Sequence, residues 1–173
     1  MDSIALFGGS FDPPHIGHEA IVKALMKLDE IDKIIIMPTY LNPFKTEFFA
    51  PADLRVKWLK KIFFDYKKVE ISAFEVSQNR SVATIETIRH LKKNHDDIYL
   101  VIGADNLANF NRWSEHKELA KMVKLIVASR DGVMADGDFM TLEVKEDISS
   151  SALRNEMQIS KLPIQCADEI YNF

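Results

Sequence analysis

The stretch Ala5-Leu6-Phe7-Gly8-Gly9-Ser10-Phe11-Asp12-Pro13-Pro14-His15-Ile16-Gly17-His18 decides how the chain is read. A short apolar strand over residues 4–7 stops at Gly8-Gly9, and helical periodicity follows over 19–28, with Ile21, Leu25 and Leu28 sharing one face. Paired glycines at a strand end let the backbone approach a bulky ligand and turn its N–H groups toward it. Pro13 and Pro14 stiffen the approach to the helix, and Gly17 allows close approach near its start. His15 and His18 are three residues apart, so both can project to one side of the first turn. A helix N-terminus already favours anions there. Two imidazoles at that point can donate to phosphate oxygens.

Other uses of this stretch fit less well. A zinc pair lacks a third ligand, because His90, His95 and His116 are scattered and Cys166 falls in a late helical run; no metal site is expected. The dinucleotide pattern G-x-G-x-x-G is absent, and so is a Walker loop.

Beyond it, short β-rich runs alternate with amphipathic helical ones. Residues 33–37 contain Ile34-Ile35-Ile36, an apolar run suited to a strand buried on both faces. Residues 38–51 carry three prolines and little periodicity, and read as a loop. A helix over 52–64, a strand over 69–74, a helix over 83–93 and a strand over 99–102 follow. Helical stretches run through Leu107 and over 115–122, then a fifth strand over 125–128 and a candidate sixth over 139–144. Helical runs over 150–158 and 164–171 finish the chain. The pattern predicts an α/β fold, a Rossmann-like doubly wound parallel sheet of five to six strands with helices on both faces. With no repeat or linker, residues 1–173 are expected to form one domain.

Bulk properties agree with an enzyme-sized soluble domain. The 173 residues are 47% hydrophobic and 28% charged, enough to bury a full core. A net charge of −4 argues against a nucleic-acid surface, which shows as basic excess. No apolar run approaches a membrane span, and a strand-like run begins too close to Met1 for a signal peptide. The single cysteine excludes an intrachain disulfide. A cytoplasmic protein without membrane or nucleic-acid partners is the expectation.

Ligands of such sheets bind beyond the carboxyl ends of strands, and the remaining candidates stand there. Lys45, on the proline-braced loop, can reach a phosphate as a point charge. Gly103-Ala104-Asp105 suits a ribose or adenine, although Asp105 can equally cap a helix. Trp113 is either core or a stacking plate for a flat ring. Ser149-Ser150-Ser151 opens a helix with Arg154 one turn in, and hydroxyls, N–H groups and guanidinium converge on an anion-sized space. With the histidine pair, this cluster forms two halves of a triphosphate cradle.

These motifs resemble, over nearly the whole chain, the nucleotidyltransferases of the histidine-x-glycine-histidine type, and within them the nicotinate-nucleotide adenylyltransferases. The residues 8–18 are similar to the family's opening motif, and residues 102–105, Trp113, Ser129-Arg130 and 148–154 follow in its order. Thr84-Ile85-Glu86-Thr87 resembles the segment that contacts the pyridine nucleotide, and Leu162-Pro163 ahead of Tyr171 the closing helix. Phe44 stands where the family commonly has histidine, Ala83 where it has an aromatic, and the segment between Gly132 and Ile148 is shorter than usual.

The resemblance implies adenylyl transfer from ATP to nicotinate mononucleotide, giving deamido-NAD and pyrophosphate in NAD biosynthesis, with Mg²⁺ travelling with ATP. It implies that Gly8, Gly9, Phe11, His15, His18, Gly103, Asp105, Ser149, Ser151 and Arg154 bind ATP, with His15, His18 and Arg154 active in the transfer. Ser10, Lys45, Thr84 and Trp113 would hold the mononucleotide. The helical part from about residue 148 would carry the second phosphate motif. A sister enzyme acting on nicotinamide mononucleotide or another phosphorylated substrate is the nearest alternative, and a non-catalytic nucleotide sensor a more distant one. The His-Ile-Gly-His signature also occurs in class I aminoacyl-tRNA synthetases, but their K-M-S-K-S loop is missing. Lys121-Met122-Val123-Lys124-Leu125 runs straight into an expected strand.

Overall fold

The run Lys33–Pro38 shows how the sequence builds the sheet. Successive strand side chains point to opposite faces: Ile34 and Ile36 enter one core cluster, Ile35 and Met37 the other, all buried. A strand apolar on both faces must be covered on both. The computed structural model describes residues 2–129, 139–146 and 148–173, and it places this strand inside a six-stranded sheet.

The strands are β1 (Ile4–Gly9), β2 (Lys33–Pro38), β3 (Val69–Ile71), β4 (Ile98–Gly103), β5 (Lys124–Ser129) and β6 (Met140–Glu143). Their spatial order is β3-β2-β1-β4-β5-β6 and every pairing is parallel. The helices are α1 (Ile16–Leu25), α2 (Ala52–Ile62), α3 (Phe74–Ser77), α4 (Thr84–Leu91), α5 (Ala104–Ala108), α6 (His116–Met122), α7 (Ser150–Asn155) and α8 (Ala167–Tyr171). One core cluster joins Val22 and Leu25 of α1, Leu59 and Ile62 of α2, Leu153 of α7 and Ile170 of α8 to the sheet. The opposite cluster takes Ile85 and Ile88 of α4 and Leu119 of α6. Each such fully buried aliphatic contributes about 1.5–3 kcal/mol. No described helix is long and apolar enough to cross a membrane.

The expected α/β class is what the chain adopts, with all six strand runs present. Boundaries differ where capping or tertiary packing intervenes. α1 begins at Ile16 rather than residue 19, because His15 takes an extended backbone and acts as its N-cap. The expected strand over 69–74 stops at Ile71, and Phe74–Ser77 turns into a short helix. The helical runs expected over 150–158 and 164–171 contract to α7 and α8.

Topology fixes where a ligand goes. From β1 the chain moves to β2 and β3 on one side, then crosses to β4, β5 and β6 on the other. The reversal lies between β1 and β4, so a crevice opens beyond Gly9 and Gly103, the last residues of those strands.

Candidate active site

At the end of β1 the backbone makes a sharp change of direction. Phe11 adopts a left-handed φ of 48°, costly for a large side chain, and its ring is buried. Its ring lies edge-on to Phe7 at 5.2 Å and to His18 at 4.8 Å, so burial of one aromatic holds the next residue of the motif. His15 is buried, and its ring stacks on His18 with centroids 3.6 Å apart.

The His15 backbone N–H donates to His18 Nδ1 at 3.1 Å. A neutral His18 therefore carries its ring proton on Nε2, the nitrogen that can donate to a phosphate oxygen. Gly17 is required by this packing: a Cβ there would sit 2.9 Å from His15 Nδ1 and 3.0 Å from Cε1.

Both histidines line a small cleft of about 50 Å³ with Gly17, Gly103, Glu146 and Ile148. A second cleft, about 170 Å³, lies on the β2 side of the same crevice. Its walls include Gly8, Gly9, Phe44, Ala83, Thr84 and Trp113. The Arg112 guanidinium lies 5.4 Å from the centre of the exposed Phe44 ring. A wider groove of about 650 Å³ runs along α2 past Lys57, Lys60, Lys61 and Phe64, and contains none of these residues.

The serine–arginine cluster docks on the glycine loop. Ser150 Oγ donates to the Pro13 carbonyl at 2.9 Å, and Arg154 Nη1 to the Asp12 carbonyl at 2.6 Å. Arg154 Nη2 also donates to Ser151 Oγ at 3.1 Å, and Ser149 Oγ caps α7 by accepting from the Ala152 N–H at 3.1 Å. Lys45 stands exposed on its loop, yet nearby protein holds its pKa below the ordinary lysine value. Desolvation is the larger cause, followed by the positive charge of Arg154, with the charge of Asp12 opposing the fall. The histidine pair and Arg154 thus gather around the residue 8–18 segment, to which the loop carrying Lys45 is bonded through Asp12.

The other candidates distribute unevenly. Ser10 lies beside the crevice, and its carbonyl accepts from Arg55. Thr84, the first residue of α4, and Trp113 share the larger cleft. Asp105 is exposed in the first turn of α5, where Gly103 rather than Asp105 is the cap; its neighbour Asn106 lines the larger cleft. Ser129 ends β5 and is buried, while Arg130 lies outside the described residues. Among the described residues, no three of His, Cys, Asp and Glu gather as a metal site.

The cytidylyltransferase-like family model matches residues 6–156. A protein of Sulfurimonas denitrificans is 60% identical over 173 residues, covering 100% of this chain and 95% of that protein. One of Campylobacter fetus is 46% identical, covering 99% and 96%. Both are described as probable nicotinate-nucleotide adenylyltransferases. The chain belongs to the nicotinate-nucleotide adenylyltransferase family. The fold of the family extends to distant members: the nicotinic acid mononucleotide adenylyltransferase of Plasmodium falciparum, solved in complex with NaAD, superposes with a TM-score of 0.85 at 20% identity. That match covers 100% of this chain and 98% of the other.

Three residues of this family member escape a motif reading. Arg55 is buried on α2, and Asp12, also buried, holds the N–H groups of Phe49 and Ala50 at 2.7 and 2.8 Å. The third is Glu75, buried in the wall of the larger cleft, with Oε1 accepting from Thr87 Oγ1 at 2.6 Å. Burial pushes its carboxyl up to about 7, the Glu86 charge adding to the rise and the Thr87 hydrogen bond opposing it. One signal for Arg55 was available. It shares the α2 face of Ala52, Val56, Leu59 and Ile62, at a spacing where the helical period calls for an apolar side chain.

Proposed function

We propose that the chain transfers the adenylyl group of ATP to nicotinate mononucleotide, forming deamido-NAD and releasing pyrophosphate. The observation that carries this reading is the convergence of the stacked histidines and Arg154 on the glycine loop at the β1–β4 crevice, with the Lys45 loop bonded to Asp12 of the same segment. Family membership supplies the two substrates.

The chemistry asks little of the protein beyond position and charge. An oxygen of the mononucleotide 5′-phosphate attacks the α-phosphorus of ATP. The bond from that phosphorus to the bridging oxygen breaks, and the electron pair leaves with pyrophosphate. A phosphate dianion needs no general base to become a nucleophile. Catalysis therefore rests on alignment and on donors aimed at the oxygens where charge develops.

His18 donates through Nε2 to the α-phosphate, and His15 holds the β-phosphate. Ser149, Ser151 and Arg154 stabilise the departing pyrophosphate. Gly8, Gly9, Phe11, Gly103 and Asp105 shape the adenosine side. Ser10 and Lys45 align the attacking phosphate, with Thr84 and Trp113 around the pyridine ring. Magnesium enters as part of the ATP complex, held by phosphate oxygens and water.

Initial rates measured with the acid and amide mononucleotides, at equal ATP, test the substrate. Faster turnover of the acid is expected, and a clear preference for the amide would overturn the assignment.

A further inference from the structure

The loop that carries Lys45 is closed at its neck by one side chain. Arg55 is 1% exposed. Its Nη1 donates to the Thr39 carbonyl at 2.8 Å and its Nη2 to the Tyr40 carbonyl at 2.9 Å, where the loop leaves β2. Its Nε donates to the Ala50 carbonyl at 2.9 Å, where the loop returns. Nη1 also reaches the Ser10 carbonyl at 2.6 Å. A single planar fork thus ties both ends of residues 39–50 to the glycine loop after β1.

Asp12 grips the same neck from the other side through the N–H groups of Phe49 and Ala50. Its own carbonyl takes Arg154. The tip is braced internally, with Asn42 Oδ1 accepting from the Phe44 N–H at 2.9 Å and the Asn42 carbonyl from the Lys45 N–H at 2.9 Å. Ser81 Oγ pins Leu41 by its carbonyl at 2.8 Å. A displacement at the neck is therefore passed to Lys45 rather than absorbed on the way.

We propose that Arg55 is a positioning residue for the transfer step, setting where Lys45 stands by holding the neck of the 39–50 loop against the glycine loop. The guanidinium is suited to this because its rigid donors meet four carbonyls at once, which a lysine ammonium with three donors cannot reproduce. None of the four acceptors belongs to a helix, and Thr39 lines the larger cleft. A buried charge is a poor device for stability alone, since apolar packing usually serves as well or better. What the charge supplies at this position is geometry.

The inference rests on the proposed role of Lys45 in aligning the attacking phosphate, and a double-mutant cycle separates the two. Steady-state kinetics are compared for the wild type, R55K, K45A and R55K/K45A. R55K and K45A should each lower kcat by between about 10- and 10²-fold, the scale of a small misplacement of reacting groups. Both should raise KM for the mononucleotide while KM for ATP stays within about twofold, a split that general loosening of the fold would not produce. The double variant should be no slower than K45A, because Arg55 acts through the loop that Lys45 occupies.

Multiplicative losses in the double variant overturn the inference and leave the Lys45 reading intact. Wild-type kinetics in K45A overturn both. If R55K does not fold, Asp12→Asn replaces it in the same cycle: it keeps the size of the side chain, weakens the opposite grip and should show the same non-additivity, and multiplicative losses there count equally against the proposal.

Discussion

Replacing Glu75 by Gln should change the way stability depends on pH. Glu75 is buried in the cleft wall, and burial lifts its carboxyl from the ordinary 4.5 to about 7 in the folded chain. Between those values the native state keeps a proton that the unfolded chain has released, so stability falls as pH rises through this window. Below about pH 4.5 both states are protonated and the residue is neutral in its effect. Above about pH 7 both are ionised, and the native state carries a desolvated carboxylate at a cost of about 3 kcal/mol.

Glutamine has the same shape, still accepts from Thr87 and does not ionise. Urea unfolding of both proteins at pH 5, 6, 7 and 8 isolates the residue, since the other titrating groups cancel in the difference. The stability of E75Q relative to wild type should rise with pH, by up to about 3 kcal/mol from pH 5 to pH 8. A difference that is flat or that falls with pH would refute the assignment of a proton to Glu75 near neutrality.

Other perturbations test the site itself. Gly17→Ala puts a methyl 2.9 Å from His15 Nδ1 and must displace a buried ring, so kcat should fall by about 10²-fold while far-UV circular dichroism is retained; near-wild-type turnover would contradict the packing. His18→Ala and Arg154→Ala should each lower pyrophosphate release by roughly 10²-fold or more, as for loss of a transition-state donor, and unchanged rates in both would refute the proposed roles. Trp113→Ala should raise KM for the mononucleotide by about 5- to 150-fold, the loss of about 1–3 kcal/mol of ring stacking, with KM for ATP unchanged in the same assay.

The sequence disclosed what depends on local pattern. Ile34-Ile35-Ile36 announced a strand covered on both faces, and Gly8-Gly9 ahead of His15 and His18 marked the end of β1, where both clefts open. Less visible were features made by contacts distant along the chain. Asp12 is bonded to Phe49 and Ala50, 37 and 38 residues away, and Arg55 reaches back 45 residues to Ser10. No spacing rule encodes such pairs. Ser150 was one hydroxyl among three until the docking of α7 distinguished its bond to Pro13 from the cap made by Ser149. Glu75 lay just past the strand expected over 69–74, and only the turn into α3 puts its carboxyl in the cleft wall.

Phe44, in the wall of the larger cleft, meets Arg112 at the position where this chain departs from the usual histidine. An exposed cation–π pair is worth about 0.5–1 kcal/mol, close to thermal energy. So weak a contact adds little to the hold on the loop tip, which rests on the Asn42 bonds to Phe44 and Lys45 instead. A histidine in its place would add a titrating group to the cleft wall. Phenylalanine brings none, so the departure from the family pattern leaves Glu75, on the same wall, with its carboxyl lifted toward neutrality and no imidazole at position 44 to share in the change of charge.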